Sequence, residues 1–134
     1  YVTDWNKSIT KFHEKPFKGV SLVDNIGLVT AFANDVSYGE VFSNQLRSIL
    51  SRNDLVIAVS GSGNSENVIK AVDYANKVGA QTLAIVGFDG GKLKDIAKNF
   101  VLVPSFDMQI CEDIHLKIGH IIMKFLCSYD VIKD

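Results

Sequence analysis

The 134-residue sequence predicts an α/β domain built on a parallel sheet, and three observations carry that reading. First, the β-branched apolar run Leu55-Val-Ile-Ala-Val-Ser60 stops at a break rich in Gly and Ser, and from Glu66 the apolar residues return at helical spacing. Second, after Gly79, a natural helix stop, the run Thr82-Leu-Ala-Ile-Val86 follows within a few residues, making a strand–helix–strand unit whose strands are parallel and whose crossover is right-handed. Third, Phe100-Val-Leu-Val103 supplies another such strand, closed by Pro104.

Taken in order, the stretch at Tyr1 reads as the middle of a helix, and Gly19-Val-Ser-Leu-Val23 as a further strand. Helical patterns follow over Ile26 to Ala33 and Val41 to Leu50. Leu55 to Ser60 is expected to be a strand buried on both faces. Val68, Ile69, Val72, Ala75 and Val78 mark the helix after it. The turn Asp89-Gly-Gly91 leads into a short helix around Leu93 to Ala97. Met108 to Cys127 is a long amphipathic pattern with apolar residues Ile110, Ile114, Ile118, Ile121, Ile122 and Phe125. No repeat, low-complexity tract or linker divides the chain, so one domain over residues 1–134 is expected. The opening residue is not Met and falls within a helical pattern, so a C-terminal piece of a longer chain is expected.

Charge and composition exclude several functions. With 14 Lys+Arg against 15 Asp+Glu and a pI near 6.3, there is no basic excess to neutralise a run of phosphates, so no nucleic-acid partner is expected. No apolar run approaches the ~20 residues of a membrane span and no secretion signal is visible, which points to a cytoplasmic protein without membrane attachment. Cys111 and Cys127 lack Cys-x-x-Cys spacing and read as reduced core thiols.

Ligands of open parallel sheets collect at the carboxyl ends of the strands, where Ser60-Gly-Ser-Gly-Asn-Ser65 lies. Three hydroxyls, two glycines and the free amides of a helix start suit an anion such as phosphate. A plain turn with Ser65 or Asn64 capping the helix is the alternative. A Walker A loop needs a Lys before its final Ser or Thr, and none precedes Ile69. A dinucleotide fingerprint fails where Glu66 replaces the third glycine. No nucleotide cofactor is therefore expected, and a small phosphorylated ligand fits better.

Glu112, Asp113, His115 and His120 share the last helix. At ~100° per residue, Asp113 and His120 share a face while Glu112 and His120 diverge by ~80°, and both pairings stay open. A carboxylate and an imidazole can move a proton beside a carbonyl or hold zinc, whereas Asp113, Lys117, His120 and Lys124 can equally form a stripe facing water. His115 reads as a packed or surface residue. Asn34-Asp35 either caps a helix or reads sugar hydroxyls.

The segments Val59 to Ala71, Gly87 to Lys92 and Cys111 to Ile121, with their serine loop and His-x4-His helix, resemble the sugar isomerase (SIS) domain family, most of all its sedoheptulose-7-phosphate (phosphoheptose) isomerases. The resemblance spans roughly residues 1–126. It implies a flavodoxin-like, three-layer, doubly wound α/β domain lacking its N-terminal part, usually assembled as a homotetramer. It further implies that Ser60, Gly61, Ser62 and Ser65 bind phosphate, that Asn34 and Asp35 contact the sugar, and that His120 transfers protons. Glu112 stands where the family usually has glutamine, a departure that adds charge. Tyr1-Val-Thr-Asp4 matches the remnant of a helix whose glutamate is the catalytic base, so Asp4 takes that place. Asp4, Glu112 and His120 are the implied zinc ligands.

The expected activity is therefore a phosphosugar aldose–ketose isomerisation, sedoheptulose 7-phosphate to D-glycero-D-manno-heptose 7-phosphate or a related pair, with the 134-residue piece inactive alone. The rival reading is a non-catalytic module that binds a sugar phosphate or, like replication-regulating relatives, a partner protein. His120 favours the enzyme, because those regulators resemble the isomerases yet lack that histidine.

Overall fold

The computed structural model describes residues 1–13 and 16–128. Its elements are helix α1 (Val2–Phe12), α2 (Ile26–Asp35), a 3-10 turn (Tyr38–Glu40), α3 (Val41–Ile49), strand β1 (Leu55–Ser60), α4 (Glu66–Val78), β2 (Gln81–Val86), α5 (Gly91–Ile96), β3 (Asn99–Leu102) and α6 (Met108–Ser128). The described strands form one parallel sheet in the order β1-β2-β3. Leu55 to Ser60 pair with Gln81 to Val86, and Leu83 to Val86 with Asn99 to Leu102. The fold is α/β with a parallel sheet and flanking helices, as expected.

The chain divides into two compact units, residues 1–21 with 113–134, and residues 22–112. In the second, Ala58, Val72, Ala84, Val86 and Leu93 form the core, with Val68, Ile69, Ile96, Ala97 and Leu102 packed on it. Helix α4 presents the face its spacing predicts. Gly79 ends it with φ 90°, its N–H returning to the Ala75 and Asn76 carbonyls, a conformation that favours glycine. In the first unit, Trp5 and Ile9 of α1 are buried, the indole N–H donates to the Gly119 carbonyl at 3.0 Å, and the Trp5 ring stacks on Tyr1.

Three expectations need correction. Gly19 to Val23 is not a strand: Gly19 exchanges both backbone hydrogen bonds with the Asn6 side chain, at 2.7 and 2.9 Å, and Val20 and Val23 are exposed. Side-chain amide pairing has replaced the strand ladder there. Strand β1 is not buried on both faces, since Leu55 and Val59 are exposed. It lies at the edge of the described sheet, and the doubly covered strand is the central β2, with Thr82, Ala84, Ile85 and Val86 buried. Finally, α6 does not bury all of its apolar face: Ile114, Ile118 and Ile122 are only half-buried. Its buried residues are Cys111, His115 and Gly119, one stripe at i, i+4, i+8, while Ile110, Leu116, Ile121 and Phe125 are exposed. Glycine at 119 leaves room for the Tyr1 ring, which occupies the space a Cβ would need.

Candidate functional site

The Ser60–Ser65 loop leaves the carboxyl end of β1 and opens α4. Ser60 is buried, and its Oγ accepts the Gly63 N–H at 3.1 Å. Ser62 Oγ accepts the Asn64 N–H at 3.2 Å, and Asn64 in turn ties the loop to α5 by accepting the Lys92 N–H at 3.0 Å. The glycines have packing duties. A Cβ on Gly61 would collide with the Met108 sulfur, and Gly63, at φ 68°, lies against the Gly90 carbonyl. Ser65 occupies the N-cap of α4 without a side-chain capping bond. The turn with a capping serine is thus not what forms: the exposed Ser65 hydroxyl stands 3.4 Å from Ser60 Oγ, and the two share the mouth of the helix with its leading amides. That arrangement offers hydroxyl and N–H donors to an anion at the positive end of a 13-residue helix.

Asn34 and Asp35 are the last two residues of α2, joined by a 3.3 Å hydrogen bond from Asn34 Nδ2 to Asp35 Oδ1. Both are exposed, and with Thr30, Ala31 and Ala33 they line an open depression. Amide and carboxylate face solvent there as a donor–acceptor pair of the kind that binds hydroxyls.

Asp4 sits in the first turn of α1 and His120 on α6, and Nε2 of the histidine approaches the carboxylate to 3.6 Å. Both side chains are roughly half exposed, at 44% and 47%, so a substrate can reach them. The carboxylate and imidazole were linked in the sequence only through the resemblance, across 116 positions. Their contact follows from α1 docking through Trp5 and Tyr1, whose hydroxyl donates to the His115 carbonyl. Asp113, Lys117 and Lys124 are exposed on the same helix, as a solvated stripe requires. His115 is buried and its Nε2 has no partner, so it is a packed residue.

Glu112 is exposed near the start of α6. Among the described residues no three His, Cys, Asp or Glu side chains gather to hold a metal ion. Of the three expected zinc ligands, Asp4 and His120 stand together as two donors.

One cluster beside the serine loop escaped the sequence reading. Lys70 Nζ lies 2.9 Å from Glu40 Oε1 and 2.8 Å from Glu66 Oε1. Glu40 also accepts from Ser43 Oγ at 2.5 Å. The Ser43 hydroxyl and Lys70 hold the Glu40 carboxyl below the usual carboxylate range, and Glu66 and Glu40 hold the Lys70 ammonium above its usual value. The i, i+4 spacing of Glu66 and Lys70 was the available signal. Glu40 could not be foreseen, because it arrives from a separate element.

Comparison with known proteins adds an independent finding. The family model described as SIS domain matches residues 19–105. The chain is 38% identical over 112 residues to a phosphoheptose isomerase of Helicobacter pylori, covering 84% of this chain and 58% of the relative. It is 38% identical over 108 residues to a probable phosphoheptose isomerase of Thermoplasma acidophilum, covering 81% and 59%. The chain thus spans less than two thirds of the length of these curated relatives. Among solved structures, a phosphoheptose isomerase from Neisseria gonorrhoeae superposes with TM-score 0.85 at 27% identity, covering 96% of this chain and 71% of that one. One from Francisella tularensis, at TM-score 0.86 and 23% identity over 95% and 69%, shows the same fold.

Proposed function

The chain belongs to the SIS domain family, and from that premise we propose that it serves a phosphosugar aldose–ketose isomerase, acting on sedoheptulose 7-phosphate or a closely related sugar phosphate. The observation that carries the reading is the 3.6 Å approach of His120 to Asp4, a base and a proton carrier that can be reached from solvent. The names of the similar proteins, phosphoheptose isomerases, support the substrate class.

In the proposed reaction the hydroxyls of Ser60, Ser62 and Ser65, the Gly61 backbone and the leading amides of α4 hold the phosphate. Asn34, Asp35 and Glu112 bind the sugar. Asp4 takes a proton from C1 of the ketose and returns it to C2, while His120 carries the hydroxyl proton from O1 to O2 across an enediol. Asp4, Glu112 and His120 would hold a zinc ion, which would polarise the carbonyl when bound. A cytoplasmic homo-oligomer, the tetramer common in the family, completes the proposal.

The test is sedoheptulose 7-phosphate isomerisation by the full-length protein, with metal content measured on the same sample. Turnover that collapses in His120→Asn supports the reading. Near-normal turnover in that variant takes His120 out of the chemistry, whereas sugar-phosphate binding without turnover in the wild type moves the protein to the non-catalytic module.

A further inference from the structure

The serine loop carries no cation of its own: between Asp54 and Lys70 there is no Lys or Arg, while Glu66 brings a carboxylate to the first turn of α4. A carboxylate at that position is itself attracted to the positive end of the helix and is an internal competitor for any anion bound there. Long helical side chains lean toward the N-terminus, so Lys70 reaches back one turn to meet Glu66 at 2.8 Å. It is anchored from the other side by Glu40 at 2.9 Å. Gly39 lets this backbone come close, since a Cβ there would stand 3.0 Å from the Glu66 carboxylate and 3.2 Å from Lys70 Nζ.

We propose that Lys70 is a positioning residue for phosphate binding, holding the Glu66 carboxylate against Glu40's side of the helix and so keeping that charge out of the anion site at the Ser60–Ser65 loop. The inference rests on the phosphate reading of that loop. The raised Lys70 and lowered Glu40 titrations agree with a persistently charged clamp, and both come from hydrogen bonds within it. The role is electrostatic, so it predicts a suppressor that a purely structural role does not.

The experiment measures KM and kcat for sedoheptulose 7-phosphate and the Kd of inorganic phosphate on the full-length protein. Lys70→Met raises KM and the phosphate Kd about five- to tenfold with kcat within about twofold, and the effect shrinks as salt is added. Glu66→Gln in the Lys70→Met background restores both constants, and Glu66→Gln alone tightens phosphate about twofold. Lys70→Arg keeps wild-type values. If Lys70→Met fails to fold, the Glu66→Gln result alone decides: weaker phosphate binding in it overturns the proposal. Ser62→Ala with Ser65→Ala reports on the loop separately. Should those serine changes weaken phosphate while Lys70→Met does not, or should Glu66→Gln fail to rescue, the Lys70 role is wrong and the loop reading stands. Unchanged phosphate affinity in the serine variant removes both.

Discussion

His115 and His120 lie five positions apart on one helix in opposite surroundings: the first is buried with an unpartnered Nε2, the second is half exposed beside a carboxylate. Their substitutions are expected to separate stability from turnover. Removing a positioned proton carrier costs about 10²- to 10⁴-fold in rate, so His120→Asn lowers kcat by that order with an almost unchanged melting temperature. His115→Leu removes an unsatisfied polar atom while keeping much of the volume, so stability moves by less than about 1 kcal/mol and kcat by less than about threefold. Parallel thermal melts and isomerase assays check both; a kcat loss in His115→Leu rivalling that of His120→Asn places His115 in the chemistry. In the serine loop, Ser60 bonds Gly63 while Ser65 makes no capping bond. Replacing Ser65 by alanine should therefore act on KM for the sugar phosphate with little effect on folding, whereas Ser60→Ala should lower both affinity and melting temperature.

Helix α4 is joined to the sheet by a polar connection as well as by its apolar face. Asn76 Nδ2 donates to the Ile96 carbonyl at 2.7 Å, its Oδ1 accepts the fully buried Thr82 hydroxyl at 2.9 Å, and that hydroxyl accepts the Lys98 N–H at 2.9 Å. Asn76→Ala leaves the Ile96 carbonyl and the Thr82 hydroxyl short of partners and should cost about 1–3 kcal/mol, measured as a shift in the denaturant midpoint. A loss below a few tenths of a kcal/mol would mean that the network adds nothing beyond the apolar packing. The Glu40–Lys70 contact between the 3-10 turn and α4 sets a pH dependence. The Glu40 carboxyl titrates lower when folded, chiefly through the Ser43 hydroxyl and then Lys70. Its stabilisation is thus complete above the unfolded value, 4.5, and is lost as pH falls through the folded value. Glu40→Gln should flatten the acid limb of the stability profile and leave stability near neutral pH only slightly changed, since the pair is on the surface.

At the scale of the molecule, the proposed homo-oligomer would need apolar surface to bury, and Leu116 and Ile121 on α6 are exposed. Among the described residues no helix is long and apolar enough to cross a membrane. Ile121→Glu in the full-length protein should lower the mass measured by light scattering; an unchanged mass would take Ile121 out of any subunit interface. The chain covers 58% of the length of its Helicobacter pylori relative.

Much of this was legible without coordinates. The strands at 55–60 and 82–86, the helix between them and its stop at Gly79 follow from side-chain period and backbone chemistry, both local properties. The serine loop is local too, since hydroxyls, glycines and a helix start are contiguous, and the SIS resemblance rests on that same stretch. Pairing across distance is not local. That Asp4 meets His120 depends on Trp5 and Tyr1 docking against Gly119, and that Glu40 meets Lys70 depends on Gly39 allowing a close approach. The same reason explains the failures. Apolar period on α6 marks which residues share a face but not which face is covered; that choice was made by the small Gly119 and the aromatic residues it admits, which bury His115 and leave Ile121 outside. Gly19 to Val23 has the composition of a strand, yet one Asn6 side chain satisfies Gly19's backbone N–H and C=O and no ladder forms.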